Sequence, residues 1–221
     1  MIALIIFMVI NISFWACFEQ AGTSLTLFAD RNVDRFIFGW EMPASMTQFF
    51  NPFFIILFGS IFSVMWVKLS KIGKNPSIPL KFCFGIVQLA LGFLLTQVGF
   101  QFVNEAYQVP LLTLVFLYML HTTGELFLSP IGLSMVTKLS PKSMAGTAMG
   151  AWFLSFAIAN YVGGKIAALT GGHGGGEVSS AEDGLLQYLD TFATIGYVLL
   201  AIAALIFVLN KPIQKLMHGV E

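Results

Sequence analysis

Glu125 is the only formally charged side chain between Ala106 and Thr137, with His121 taken as neutral. His121, Glu125 and Ser129 recur every four residues, so on a helix they form one polar stripe. Pro130 follows directly. It removes a backbone donor and can kink the helix beside that stripe, leaving a carbonyl free. A carboxylate in so apolar a run is costly in lipid unless it faces a protein interior or a water-filled cavity. Such a group can bind a cation or load and release a proton. A second carboxylate, Glu19, has Trp15 one turn before it and Gln20 beside it. Asn51, Trp152, Asn160 and Lys165 complete the set of polar or amphipathic groups in apolar surroundings.

Each of these residues also has a plain structural reading. Glu19 and Glu125 could be hydrogen-bonded inside a bundle. Asn51-Pro52 could cap a helix start. His121 could be a buried structural imidazole or an auxiliary member of the site. Trp152 could pack, and Lys165 could snorkel to an interface. Gly146 and Gly150 form a GxxxG, which predicts close helix packing. Cys17 and Cys83 read as small buried apolar residues, without a disulfide framework or a CxxC pair.

No enzyme constellation emerges. HExxH and GxSxG are absent, and His121, His173 and His218 lie far apart in the expected topology. No metal or cofactor is expected. Ala159–Lys165 superficially suggests a phosphate loop, but it lacks the first Gly and the Ser or Thr after Lys.

The elements that must position these groups are membrane helices. Of 221 residues, 57% are hydrophobic and 10% charged, with 23 Phe; soluble domains carry about 25% charged residues. Net charge is zero, so no basic patch points to nucleic acid. Six apolar stretches are long enough to span a bilayer, at about 1–28, 44–67, 82–104, 109–137, 144–169 and 186–209. Period-2 alternation is weak, which argues against a β-barrel. The fold class is therefore an all-α integral membrane protein, a single six-helix transmembrane domain over 1–221. The first stretch is expected to be a retained helix and not a cleaved leader, because no Lys or Arg precedes it and no small-residue cleavage site follows.

Loop charge sets the orientation. Lys68, Lys71, Lys74, Lys81, Lys138, Lys142, Lys211 and Lys215 all fall on one side. Arg31 and Arg35 fall on the other, beside Asp30, Asp34 and Glu41. Both termini are expected in the cytoplasm, with the chain in the cell's inner or plasma membrane. Asp30–Met42 reads as an external connector with a turn at Phe36–Trp40. Gly171–Gly184, with His173, reads as a Gly-rich flexible external loop.

Four motifs, in order, resemble the proton-dependent oligopeptide transporter (POT) family. Phe14-Trp15-Ala16-Cys17-Phe18-Glu19-Gln20 resembles its seventh helix, and Asn51-Pro52-Phe53-Phe54-Ile55 the start of its eighth. Gly124-Glu125-Leu126-Phe127-Leu128-Ser129-Pro130 is similar to its tenth-helix signature, and Gly150-Ala151-Trp152-Phe153-Leu154 to its eleventh. The resemblance implies the carboxy-terminal half, helices seven to twelve, of a major facilitator superfamily fold. It implies proton-coupled uptake of di- and tripeptides, driven by the proton gradient and without a cofactor. Glu125 would bind the peptide amino terminus and Asn51 its backbone or amino terminus. Ser129, Trp15 and Gln20 would line the pocket, and Trp152 would form an aromatic wall. Glu19, with Glu125, would serve proton coupling and gating. The partners would be peptide, protons, lipid and an amino-terminal six-helix half absent from this chain. That half would supply the cation facing Glu125. Met1 directly before a helix supports an internal start, as in a fragment or split gene product. Two further readings are a half-size protein that pairs with a separate half or dimerises, and a non-transporting membrane interaction protein.

Overall fold

A computed structural model describes residues 1–169 and 180–219. Its long helices are α1 (Ile2–Phe18), α2 (Ser24–Asn32), α3 (Phe50–Lys71), α4 (Ile78–Phe100), α5 (Leu111–Leu139), α6 (Ala145–Ala167) and α7 (Ala181–Leu216). Among the described residues five segments are long and apolar enough to cross a membrane: Ile2–Asn32, Ala44–Lys71, Ile78–Phe100, Leu111–Leu139 and Ala181–Leu216. Six were expected. The remaining one, α6, has the length, but Asn160, Tyr161, Lys165 and its glycines lower its hydropathy.

α4 packs along both α5 and α7, α1 packs along α6, and α3 rests mainly on α5. The core contains Phe7, Phe14, Phe28, Phe82, Phe93 and Phe192, all fully buried. Phe28, Phe93 and Phe192 meet edge-on or tilted, with centroids 5.4–5.5 Å apart, a favourable aromatic geometry. Polar pins fix the helix pairs. Asn11 Nδ2 donates to Ser155 Oγ at 2.8 Å, joining α1 to α6. Gln97 Nε2 donates to the Leu189 carbonyl at 2.8 Å, joining α4 to α7. In lipid such bonds matter because no water is available as an alternative partner.

Several boundaries differ from the sequence expectation. The first span is not one helix. It breaks into α1, a 3₁₀ turn at Glu19–Gly22, and α2. Glu19 therefore sits on the turn and not on a continuous helix above Trp15. Gln20 helps to cause the break, because its Nε2 bonds the Ala16 carbonyl at 2.9 Å and competes with the backbone ladder. Thr23 then takes a non-helical conformation. The third span starts at Ile78, not 82: Pro79 suits a first turn, and Ser77 holds the N-cap position without a capping bond, its hydroxyl donating to Asn210 Oδ1 at 2.8 Å. Lys81 is consequently helical and buried, not a loop residue.

The sixth span starts at Ala181. Ser180 Oγ accepts from the Asp183 N–H at 3.1 Å, a side-chain N-cap, and donates to the Asp183 carboxylate at 2.8 Å. The helix continues to Leu216 through Lys211 and Pro212. Gln214 Nε2 donates to Asn210 Oδ1 at 2.8 Å and so bridges the turn where Pro212 removes a bond. α5 likewise runs unbroken through Pro130.

Gly146 and Gly150 do not mediate packing: a Cβ on either would meet nothing within 4 Å. The close approach lies elsewhere. A Cβ on Gly124 would sit 2.7 Å from the Gly85 carbonyl oxygen, and one on Gly85 would sit 2.7 Å from that of Gly124. These two glycines press the backbones of α4 and α5 together beside Glu125.

The 30–42 connector holds more structure than expected. Phe36–Ile37 and Trp40–Glu41 form a two-stranded antiparallel hairpin, turning through Phe38 (φ 49) and Gly39 (φ 83). Two successive positive φ angles are the tight-hairpin pattern. Arg35, 9% exposed, holds this cap. Its Nη2 pairs with Glu41 at 2.9 Å and Asp30 at 3.4 Å, and its other nitrogens donate to the Ala29 and Met42 carbonyls. Val33–Asp34 pairs in parallel with Val109–Pro110, tying this cap to the start of α5. The Gly-rich segment expected at 171–184, with His173, lies outside the described residues up to 179.

Candidate functional site

Asn51 and Glu125 are brought together from helices 74 positions apart in sequence, with Asn51 Nδ2 donating to Glu125 Oε2 at 3.0 Å. The same amide lies 3.1 Å from Thr122 Oγ1, whose own hydroxyl donates to the Tyr118 carbonyl at 2.7 Å. Asn51 is not a helix cap. The cap of α3 is Phe49, and no side chain serves it. The amide is thus left free to meet the carboxylate. An amide–carboxylate bond is charge-assisted and gains strength where water is scarce. Among the described residues no Lys or Arg forms an ion pair with Glu125, whose bond is to the Asn51 amide.

The stripe on α5 fans from interior to surface. His121 is 1% exposed, Glu125 is half-buried and Ser129 is exposed. His121 lies against α4. Its ring is 4.7 Å from that of Phe93, and a Cβ on Gly92 would fall 2.4 Å from His121 Cδ2. Neither ring nitrogen makes a well-formed hydrogen bond, although the Leu89 backbone lies within reach of the ring. A small cavity of about 180 Å³ opens beside it, lined also by Glu19, Gln48, Asn51 and Tyr118. Glu19, Asn51 and His121 therefore share one polar hollow between the 3₁₀ turn, the start of α3 and α5. Its size suffices for several waters, each needing two to four polar partners.

The remaining expected site residues are placed differently. Gln20 is fully buried and spent on internal bonds. Its Nε2 also donates to the Gly163 carbonyl at 3.0 Å, and its Oε1 accepts from Ser24 Oγ at 2.6 Å. Gln20 pins the 3₁₀ turn to α6 and presents no surface to a ligand. Trp152 is 2% exposed, and its ring edge takes the space a Cβ on Gly132 would need, 2.7 Å away. It wedges α6 against α5. Trp15 is half-buried and meets Phe18 edge-on and Phe156 at a tilt, with both centroids at 5.1 Å.

Sequence reasoning missed Tyr118 and undervalued Thr122. Both lie on the Glu125 side of α5, seven and three positions earlier, a helical spacing that could have flagged them. Thr123, whose hydroxyl donates to Gln88 Oε1 on α4, was equally silent in the sequence. Among the described residues no group of three or more His, Cys, Asp and Glu side chains could hold a metal.

A helical membrane protein with a carboxylate–amide pair at its open side is the class that fold and site define. The model of the POT family matches residues 1–175, and the chain belongs to that family. It is 38% identical to the peptide transporter YePEPT of Yersinia enterocolitica over 94% of its own length and 39% of that protein's. It is 35% identical to the dipeptide and tripeptide permease A of Edwardsiella piscicida, over 99% of this chain and 44% of the permease. Among solved structures, a peptide transporter POT in complex with alafosfalin superposes with a TM-score of 0.84 at 32% identity, covering 99% of this chain and 42% of that one. The chain thus spans about two fifths of the length of the curated relatives it matches. The protein is a multi-pass membrane protein with the helical fold of POT transporters, and those relatives are transporters and not enzymes.

Proposed function

We propose that this chain is the carboxy-terminal half, helices seven to twelve, of a proton-coupled di- and tripeptide symporter. The observation that carries the reading is the Asn51–Glu125 hydrogen bond at the edge where the α5 stripe emerges to the exposed Ser129. There Glu125 receives the peptide ammonium, Asn51 orients it, and Ser129 lines the pocket. Glu19, across the hollow from Asn51, exchanges the proton. The peptide-transporter names of the relatives and the alafosfalin-bound structure support the substrate class. Residues 1–221 act as one six-helix domain, powered by the proton gradient and without a cofactor, with both termini cytoplasmic in the inner membrane.

The missing half completes the transporter. α3 exposes Phe53, Ile56, Ile61 and Val64, and α6 exposes Phe153, Leu154 and Ile158. These flanks favour pairing with six further helices, whether from the same gene or a separate one. The test is uptake of a labelled dipeptide into proteoliposomes. Gradient-driven accumulation is expected when the chain is reconstituted with a family first half, and is expected to vanish with Glu125→Gln. Equal uptake by the Glu125→Gln variant would reject the site. Robust uptake by the chain alone would reject the need for a partner half.

A further inference from the structure

Two cations have no part in the transport reading. Eight of the eleven Lys and Arg residues gather at the Lys-rich ends of the helices, and Arg35 is committed to Asp30 and Glu41. Arg31, in the last turn of α2, and Lys165, in the last turn of α6, are the two that remain. Both are exposed, and both line one open cavity of about 880 Å³ between α2 and α6. Small-molecule sites usually measure about 300–1,000 Å³. Among the described residues no carboxylate lines this cavity, and none forms an ion pair with either cation.

Their neighbours are neutral. Lys165 Nζ lies 5.5 Å from the centroid of the Tyr161 ring, one turn earlier. Arg31 approaches the Tyr188 phenol on α7 without a well-formed bond, and the adjacent Asp30 carboxylate is bonded to Arg35. An aromatic face steadies an ammonium but leaves its charge in place. The cavity wall is fixed, because Gln20 pins the 3₁₀ turn to α6 at the Gly163 carbonyl. A Cβ on Gly22 or Gly164 would meet nothing within 4 Å, so open space lies over both lining glycines. Gly22 also lines the hollow that holds Glu19, Asn51 and His121. The basic cavity and the acidic hollow therefore share the 3₁₀ turn as a wall.

A peptide carries an ammonium at one end and a carboxylate at the other. Glu125 answers only the first. Two cations in a cavity without a lining carboxylate raise the local concentration of anions and steer them inward. We infer, resting on the transport reading for substrate and orientation, that the α2–α6 cavity is an entry subsite. In it Arg31 and Lys165 take up the carboxylate of an incoming peptide before its ammonium reaches Glu125.

Two blocked dipeptides separate this subsite from Glu125. N-acetyl-Ala-Ala keeps only the carboxylate, and Ala-Ala-amide keeps only the ammonium. Saturation-transfer NMR on the 221-residue chain in phosphatidylcholine nanodiscs should detect binding of N-acetyl-Ala-Ala. Arg31→Gln and Lys165→Gln should each weaken it roughly threefold, the scale of an exposed charge pair, and the double variant roughly tenfold. Lys165→Arg and Glu125→Gln should keep it, as should Lys215→Gln on the opposite face. In the transporter assembled with a first half, the double variant should raise KM for Ala-Ala roughly tenfold at unchanged turnover. Equal binding of N-acetyl-Ala-Ala by the double variant and wild type would overturn the inference, as would an unchanged KM or an equal loss with Lys215→Gln. A wild-type chain that binds none of it, yet retains phosphatidylglycerol through Arg31 and Lys165, would assign the cavity to a lipid headgroup and overturn it too. Binding of Ala-Ala-amide that survives Glu125→Gln would instead reject the ammonium site, while N-acetyl-Ala-Ala still reads this one.

Discussion

Gly124→Ala should destabilise the chain although the same change elsewhere in these helices should not. A Cβ at position 124 would lie 2.7 Å from the Gly85 carbonyl oxygen. Both partners are backbone, so no flexible side chain can yield and α4 and α5 must separate. Overpacking of this kind costs about 1–3 kcal/mol. Alanine recovers up to about 1 kcal/mol through its higher helix propensity, leaving a net loss of up to about 2 kcal/mol. At roughly 2–4 °C per kcal/mol for a chain of this size, the melting midpoint should fall by up to about 8 °C. The control is Gly150→Ala, where a Cβ would meet nothing within 4 Å; it should be neutral or slightly stabilising. Cys17 and Cys83, both free and buried, supply the assay, since a thiol-reactive fluorophore labels them only on unfolding. The separation should also displace Glu125, the next residue, from Asn51. A Gly124→Ala chain melting at or above wild type, or a Gly150→Ala chain melting as low, would refute the argument that this glycine pair sets the helix spacing.

Replacing Gln20 by Leu removes bonds to the Ala16 and Gly163 carbonyls and to Ser24; at about 0.5–1.5 kcal/mol each, the loss should reach about 2–4 kcal/mol in the same melting assay. His121→Leu should shift the midpoint little, because neither ring nitrogen has a well-formed hydrogen bond to lose, and a drop in dipeptide uptake at unchanged stability would then assign the imidazole to the site. Asn51→Leu removes a bond to a charged group, worth about 1.5–3 kcal/mol, so dipeptide affinity of the assembled transporter should fall roughly 10- to 150-fold, measured by binding calorimetry. Outside the helices, a hydrogen bond to Glu182 holds the Tyr107 phenol above its usual range. The fold favours the neutral phenol, so this contribution is present below about pH 10 and fades as pH rises through the raised value; the difference in ultraviolet titration between wild type and Tyr107→Phe should show it.

Hydropathy located the helices because burial in lipid is a property of whole segments, and the cost of a lone carboxylate singled out Glu125 before any contact was known. What escaped was local or reciprocal. The break after Phe18 depends on where the Gln20 amide finds its acceptors, which involves Gly163 on a distant helix. The start of α7 depends on a side-chain N-cap at Ser180 that composition reads as loop. Trp152 was expected to line a pocket, yet it fills the notch that Gly132 leaves on α5; a tryptophan's address depends on what the facing helix omits. The GxxxG at Gly146 and Gly150 shows the converse, a packing motif facing open space in this structure. Asn51 was ambiguous between cap and ligand, and only the backbone at Phe49, which carries the cap position itself, separates the two.

The pairing of α1 with α6 also sets a timetable for synthesis. Asn11 and Gln20 find their partners 144 and 143 residues later, at Ser155 and Gly163. At ribosomal speeds of about 5–20 residues per second, those two amides wait roughly 7–30 s before their α6 acceptors exist, and until then Gln20 has only the Ala16 carbonyl to donate to. During that interval the first helix cannot settle in bare lipid without orphaned donors, so it should linger beside the insertion machinery while α3, α4 and α5 assemble past it. Slowing translation between Gln20 and Gly163 should therefore prolong that association and expose the nascent chain to quality-control proteases.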